Sequence, residues 1–190
     1  MVLTPAEVTP VALWVAALSL GTAQVAERYL ARGWLSRDVA LQVGKSRVPN
    51  AGRGVFAGKS IAAGTTLGAY PGRRLNAQSY YAKRNQFPRF TEYCWVLEDQ
   101  QLALDPTDDE GVLCDPLPRM RTSWINLGGS IDTTLALINE PPPSADVNLA
   151  TQVDGSQLVI STARDIGEGE ELFLDYGPSY DRSGYGSGAY

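Results

Sequence analysis

Residues 163–177 read Ala-Arg-Asp-Ile-Gly-Glu-Gly-Glu-Glu-Leu-Phe-Leu-Asp-Tyr-Gly, and this stretch decides the fold. It contains an Ile-x-x-Gly-x-x-Leu turn, residues 166–172, that leads into a short apolar run ending in Asp175-Tyr176-Gly177. We expect residues 170–176 to form a strand, because short apolar runs bounded by glycines are typical of strands. Such a strand would hold the hydroxyl of Tyr176 in a fixed position at the end of the strand.

Two other segments accompany this turn in a fixed order. The same Ile-x-x-Gly-x-x-Leu pattern occupies residues 61–67, after Gly52-Arg53-Gly54 and just before Tyr70. Between the two copies, the apolar run 136–138 leads to the polar amide of Asn139. Taken together, these motifs resemble the SET domain of protein lysine methyltransferases.

The resemblance covers roughly residues 39–180, with a divergent stretch between 111 and 134. It implies a mainly β fold with few short helices, the SET (β-clip) fold of small curved sheets with a knot-like C-terminal threading. We expect residues 35–180 to form this domain, with a helix in residues 1–34 and a flexible tail in residues 181–190.

The resemblance also implies an activity: methyl transfer from S-adenosyl-L-methionine to a lysine side chain of a protein, without a metal. Tyr176 is the implied catalytic residue, and its hydroxyl would orient the lysine amine. The implied cofactor-binding residues are Gly52, Arg53, Gly54, Asn139, Glu140 and Tyr93. The implied walls of the substrate channel are Tyr70, Phe173, Leu174, Tyr180 and Tyr185.

The chain departs from the family pattern after Asn139. Glu140 stands where the family carries a histidine, and a proline run, 141–143, replaces the usual continuation. Asn148 is the candidate for the family's second asparagine. We expect backbone contacts to the cofactor to persist here, and we expect Glu140 to be tolerated rather than catalytic.

Each of these motifs also has a purely structural interpretation. Gly52-Arg53-Gly54 can be an ordinary turn, Asn139 a satisfied core amide, and Tyr93 a packed sheet aromatic. Tyr93 is followed by Asp105-Pro106-Thr107, which resembles another family turn. The acidic cluster of Asp105, Asp108, Asp109 and Glu110 lacks the ligand spacing of a calcium loop, so we expect a solvated turn.

The composition excludes several classes of function. The 190 residues include no histidine, which rules out Ser-His-Asp hydrolases, Cys-His proteases and histidine-ligated metal sites. The net charge of −5 argues against nucleic acid as a direct partner and suits a substrate with a basic segment around its lysine.

Location is less well determined by the sequence. The uncharged run 8–26 reads as a helix that docks on the domain, or as a membrane anchor, since a bilayer needs ~20 apolar residues. Cys94 and Cys114 read as a reduced pair or as a single disulfide. An intracellular, nuclear or cytoplasmic protein is favoured, and membrane-anchored or organellar locations stay open.

Local patterns predict a helix from Asn76 to Asn85 and two hairpins. One hairpin joins 91–97 to 102–104, and the other joins 149–153 to 158–162 through Asp154-Gly155.

Two rival functions remain: a SET-like binding module without catalysis, favoured by the altered stretch after Asn139, and a β-clip carbohydrate-binding domain.

Overall fold

Short antiparallel strands and few helices make up the described part of the chain. The computed structural model describes residues 33–97, 101–113, 117–118, 130–142, 145–178, 180 and 182. The predicted N-terminal helix, Cys114, Tyr185 and nearly all of the tail lie outside these residues. Within them, no helix is long and apolar enough to span a membrane.

The described strands form four separate antiparallel sheets. A four-stranded sheet has the order β1-β4-β11-β10, a three-stranded sheet has the order β5-β7-β6, and β2-β3 and β8-β9 form two-stranded sheets. The strands are Trp34–Leu35 (β1), Leu41–Lys45 (β2), Arg53–Ala57 (β3), Thr66–Ala69 (β4), Arg73–Asn76 (β5), Trp95–Leu97 (β6), Leu102–Asp105 (β7), Leu117–Pro118 (β8), Ser130–Ile131 (β9), Leu149–Asp154 (β10) and Gln157–Thr162 (β11).

The hairpin of β10 and β11 confirms the second predicted hairpin. Asp154 pairs with Gln157, so the two turn residues are Gly155 and Ser156, one position later than predicted. Gly155 has a φ of 57°, a left-handed conformation that tight two-residue turns require.

The predicted helix is also confirmed, as Ala77–Gln86 (α1). The side chain of Asn76 accepts a hydrogen bond of 2.8 Å from the amide of Ser79 and caps the first turn. No residue of the helix is fully buried, so this cap, its contacts with β5 and with residues 88–93, and the ion pair of Lys83 with Asp105 hold it in place.

The first predicted hairpin is correct in part. β6 pairs with β7, but residues Pro88–Tyr93, whose second half was expected in the strand, form a 3-10 helix. Pro88 opens that helix, where its fixed φ suits the first turn, and the hydroxyl of Thr91 donates 2.8 Å to its carbonyl. Local hydrogen bonds therefore override the β-forming side chains.

The predicted strand 170–176 is wrong as a continuous element. Two single bridges replace it: Glu171 pairs with Phe56 and Phe173 pairs with Asn139. The amide of Leu172 donates to Val55 of β3, whereas the amide of Leu174 donates to Asn139. Leu172 and Leu174 thus bond to two different parts of the chain. The segment lies between β3 and Asn139, as the predicted knot-like threading requires.

The two Ile-x-x-Gly-x-x-Leu turns pair with each other. The amide of Ile61 donates 2.9 Å to the carbonyl of Ile166, and the amide of Ile166 donates 2.8 Å back. Gly64 and Gly169 adopt nearly the same φ, 74° and 75°. Both isoleucines are buried in the main core, so the repeat joins the two ends of the domain.

That core draws on most of the elements described above. Its buried members are Val55, Ala57, Ile61, Leu67, Tyr70, Leu97, Leu104, Leu135, Ala136, Leu137, Ile138, Leu149, Leu158, Ile160, Ile166, Leu172 and Leu174. The 3-10 helix Thr134–Leu137 contributes three of them, directly after the divergent stretch.

Candidate active site

Tyr176 lies at the end of the segment that threads past β3. Its hydroxyl donates a hydrogen bond of 2.7 Å to the carbonyl oxygen of Ile138. Its backbone amide donates 3.3 Å to Glu140, and its ring packs 4.7 Å from the ring of Tyr180. The phenol is half-buried, so it is held in one orientation and still has an accessible face.

Asn139 connects that tyrosine segment to the Gly52-Arg53-Gly54 turn. Its side-chain amide donates 2.8 Å to the carbonyl of Arg53, and its own carbonyl accepts 3.0 Å from the amide of Leu174. Its side chain is half-buried rather than buried in the core, which differs from the prediction. One residue thus connects the glycine turn to the threaded segment that bears Tyr176.

Only glycine fits at position 54, because the carboxylate of Glu171 occupies the space that a side chain would need. A Cβ placed there would lie 2.2 Å from Oε1 of Glu171. The buried Glu171 carboxylate accepts 2.6 Å from the hydroxyl of Ser46 and 2.8 Å from the amide of Arg47. Gly52 differs, because its φ of 71° is left-handed and the space beside it is open.

Sequence reasoning missed Glu171 and Ser46 as part of this arrangement. The signal was available, since a glutamate directly before the apolar run 172–174 has to find hydrogen-bond donors if it is buried with that run. Its position beneath the glycine turn follows from the threading, which residue spacing does not reveal.

A cavity of about 530 Å³ opens beside Arg53. This volume lies within the range of small-molecule sites. Its aromatic rings suit a flat base, and its mixed charges suit an amino acid that carries both an ammonium and a carboxylate. The lining residues are Arg53, Gln86, Phe87, Pro88, Arg89, Phe90, Glu92, Tyr93, Glu110, Gly111, Val112 and Leu113.

The residues of this site lie in a segment that a known family matches. A family model described as the SET domain matches residues 52–177. The chain belongs to the SET domain family. The sequence-based prediction of the family is therefore confirmed.

One curated relative of this SET domain is histone-lysine N-methyltransferase set-17 of Caenorhabditis elegans. The two are 25% identical over 144 residues, which is 75% of this chain and 42% of the relative. The chain thus spans less than half the length of that relative.

Solved structures support the SET fold. The polycomb repressive complex 2 of Chaetomium thermophilum matches with a TM-score of 0.53 and 21% identity, over 75% of this chain and 16% of that one. A ctPRC2 structure in an autoinhibited conformation bound to S-adenosylmethionine matches with a TM-score of 0.52 and 20% identity, over 73% and 15% of the two chains. The predicted fold class is confirmed.

The SET domain brings together several of the predicted site residues, but not all of them in one place. Arg53 and Tyr93 line the cavity, whereas Asn139 reaches the same turn from the Tyr176 side. Tyr180 contacts Tyr176 directly. Tyr185 lies outside the described residues.

Tyr70 is buried beneath Tyr93. Its hydroxyl donates 2.6 Å to the carbonyl of Tyr93, and its ring lies 5.8 Å from that of Trp95. Burial raises the pKa of Tyr70 well above its ordinary value. The phenol is therefore a neutral donor that anchors the backbone of a residue lining the cavity.

Phe173 and Leu174, two predicted channel residues, are both buried. Leu174 is 2% exposed and belongs to the main core, while Phe173 is 9% exposed. Their backbones hold the threaded segment in place, since Phe173 bonds to Asn148 and Leu174 to Asn139. A channel role for their side chains stays a prediction.

Asn148, the candidate second asparagine, is fully committed to that threaded segment. Its side-chain oxygen accepts 2.8 Å from the amide of Phe173, and its nitrogen donates 2.8 Å to the carbonyl of Glu171. It is completely buried. We therefore assign Asn148 a structural role.

Glu140 is engaged by the C-terminal segment. Arg182 donates 2.8 Å to one oxygen of this carboxylate and 2.5 Å to the other. Glu140 therefore has a cationic partner, and the expectation that it is tolerated rather than catalytic stays a prediction. Sequence reasoning did not single out Arg182.

The prediction of a solvated acidic turn is wrong for Asp105. This carboxylate is fully buried and accepts 2.7 Å from the ammonium of Lys83. Its other oxygen accepts from the amide and the hydroxyl of Thr107, at 2.9 and 2.6 Å. The ammonium of Lys83, from α1, supplies the positive charge that offsets the cost of burying the Asp105 carboxylate.

The rest of the acidic cluster remains near the surface. Asp109 is exposed and pairs with Arg73 at 2.6 Å. Among the described residues, no group of three carboxylate, thiol or imidazole side chains is placed to hold a metal ion.

Proposed function

We propose that this SET domain transfers a methyl group from S-adenosylmethionine to the lysine side chain of a protein. One observation carries the proposal. Asn139 ties the Gly52-Arg53-Gly54 turn to the segment whose end presents the Tyr176 hydroxyl at the Ile138 carbonyl. A family match across residues 52–177 and a relative named as a histone-lysine methyltransferase support it.

We assign the cofactor to the cavity beside Arg53. The ring of Tyr93 offers a face for a flat base, and the guanidinium of Arg53 offers a partner for a carboxylate. When bound, S-adenosylmethionine supplies an electrophilic methyl group on a sulfonium.

Tyr176 orients the lysine amine during this reaction. Methyl transfer is an in-line displacement, so the nitrogen lone pair has to point at the methyl carbon. The hydroxyl of Tyr176 donates its hydrogen bond to the carbonyl of Ile138. The lone pairs of the Tyr176 oxygen are therefore left to accept a hydrogen bond from an amine N–H. The phenol thereby aligns the amine without taking its proton.

The lysine has to arrive as a neutral amine. A free lysine side chain has a pKa of about 10.4, and a desolvated, aromatic environment lowers it. The rings of Tyr176 and Tyr180, 4.7 Å apart, supply such an environment at the candidate site. Exclusion of water also protects the sulfonium from hydrolysis.

The net charge of −5 favours a substrate lysine within a basic segment. Because the worm relative is named as a histone-lysine methyltransferase, histone tails are the first substrates to test. We propose an intracellular location, nuclear or cytoplasmic, on the same grounds.

A binding module without catalysis is the rival that one observation favours. Glu140, at the position of the family's histidine, holds Arg182 instead of presenting an imidazole. Calorimetry with S-adenosylmethionine, followed by labelling of a proteome extract with radioactive cofactor, separates the two. We expect binding, competition by S-adenosylhomocysteine, and label on protein lysines. No heat at millimolar cofactor would favour the rival.

A further inference from the structure

Glu140 and Arg182 form an ion pair between two distant segments, 42 residues apart in sequence. Arg182 donates to both carboxylate oxygens, so the pair is bidentate. The Glu140 side chain is 9% exposed and that of Arg182 is 33% exposed. Bidentate, partly buried pairs hold their geometry far better than single contacts at the surface.

Arg182 also binds the backbone of its own segment. It donates 2.9 Å to the carbonyl of Gly177 and 3.2 Å to the carbonyl of Tyr180, and its guanidinium lies 5.7 Å from the centre of the Tyr180 ring. One side chain therefore holds Gly177 and Tyr180 close to Arg182.

Glu140 contacts that tyrosine from the other side. Its Oε1 accepts from Arg182 and also, at 3.3 Å, from the backbone amide of Tyr176. Tyr180, held by Arg182, packs its ring on that of Tyr176. The same carboxylate thus links the two tyrosines.

We propose that Glu140 and Arg182 are positioning residues whose ion pair, called the clamp, holds Tyr180 against Tyr176 and fixes Tyr180 as a wall for the incoming lysine. This inference rests on the proposed function. The Tyr176 hydroxyl has its own bond to Ile138, independent of the clamp. Loss of the clamp therefore weakens substrate binding more than the chemical step.

The test uses the full chain as wild type, Glu140→Gln, Arg182→Gln and the double variant. Arg164→Gln is the matched control, since Arg164 forms a 2.6 Å pair with Glu170 at the surface. The first measurement is hydrogen exchange of the peptide that spans 176–182, which needs no activity. We expect about tenfold faster exchange in both single variants and no change in the control.

The second measurement is steady-state kinetics on a lysine peptide. We expect the peptide KM to rise about tenfold, kcat to stay within about threefold, and the cofactor KM to be unchanged. In the double variant the peptide KM should rise no further than in the more impaired single variant, because both substitutions remove the same interaction. Arg182→Lys, which keeps the charge but loses the planar fork, should give an intermediate KM.

The outcomes separate the clamp from the proposed function. If wild type methylates no substrate, the proposed function fails, and the exchange measurement alone decides the clamp. If wild type is active but exchange and peptide KM are unchanged in the variants, the clamp is overturned. Additive effects of the two substitutions, or an equal rise of the cofactor KM, would also overturn it.

Discussion

The Tyr176 hydroxyl donates its 2.7 Å hydrogen bond to the carbonyl of Ile138, the residue directly before Asn139. Asn139 in turn bonds to the backbone of Arg53 beside the candidate cofactor cavity. The tyrosine and the cavity are therefore positioned by two neighbouring residues of a single segment. That segment is rigid because Ile138 is buried in the main core.

Tyr176→Phe removes one oxygen and keeps the ring. We expect turnover to fall about a hundredfold, since losing a preorganised polar group at a reacting centre typically costs ~3 kcal/mol of transition-state stabilisation. Cofactor affinity should fall by no more than about threefold, because the ring is retained. Single-turnover rates with labelled cofactor measure this.

The matched control is Tyr81→Phe, because Tyr81 is an exposed tyrosine on α1. It should methylate at the wild-type rate. Full activity in the folded Tyr176→Phe protein would mean that Tyr176 is a packing residue and that another group aligns the amine.

Asn139→Ala deletes the side-chain bond to the Arg53 carbonyl. We expect cofactor affinity to weaken about tenfold, because the glycine turn loses its link to the tyrosine segment and ~1 to 2 kcal/mol with it. Calorimetry measures the affinity directly. Asn85→Ala, at an exposed position of α1, is the control and should bind normally. Equal binding by both variants would contradict a role for Asn139 at the cofactor site.

Gly54→Ala places a methyl group 2.2 Å from the Glu171 carboxylate. We expect the melting temperature to fall clearly, because overpacking a filled site costs about 1 to 3 kcal/mol and the carboxylate would lose its donors if it moved. Gly167→Ala is the control, since its nearest neighbour would be 3.9 Å away. Calorimetric melting of the two variants tests the contrast, and similar melting temperatures would refute it.

Asp105→Asn leaves the Lys83 ammonium buried without a counter-charge. We expect a loss of roughly 3 to 5 kcal/mol of stability, since removal of one partner strands the other charge. Asp109→Asn removes a carboxylate that is 83% exposed and should cost about 1 kcal/mol or less. Denaturant unfolding of both proteins measures the difference, and equal losses would show that burial of the first pair adds nothing.

Cys94 should resist thiol reagents in the folded protein. Burial, with the Asp105 carboxylate as a second cause, raises the pKa of this thiol above its ordinary value, and so the reactive thiolate is scarce. The thiol ionises in the unfolded chain first, so its contribution to stability is complete below the unfolded pKa of about 8.5 and falls as pH rises beyond it.

The measurement for Cys94 is the modification rate at pH 8, followed by mass spectrometry, with and without denaturant. We expect modification of the native protein at this residue to be slow. Cys94→Ala should lessen the loss of stability between pH 8 and pH 10. Rapid labelling of the native protein would show that the thiol is not shielded.

Local signals in the sequence predicted most of the elements correctly. The hairpin at Gly155 and the helix capped by Asn76 each depend on neighbouring residues, whose patterns are visible in any short window. The motifs around Tyr176 and Asn139 likewise placed the candidate site, because their order resembles a known family. The 3-10 helix after Pro88 was missed, since strand-forming side chains masked its proline start.

Interactions between distant residues could not be predicted. Asp105 looked like a surface carboxylate because its partner, Lys83, lies in another element. The ion pair of Glu140 with Arg182 was not expected either, because the two residues lie 42 positions apart in the sequence. In both cases burial arises from tertiary packing, which charge patterns along the chain do not encode.

The mutual pairing of the turns at Ile61 and Ile166 has a consequence for how the protein is made. Contacts between such widely separated residues give a high contact order, which slows folding. During synthesis on the ribosome, the turn at Ile61 stays unpaired until the turn at Ile166 has been made. The pairing of these turns, and with it the placement of the segment that bears Tyr176, can form only after residues 61 and 166 have both been synthesised.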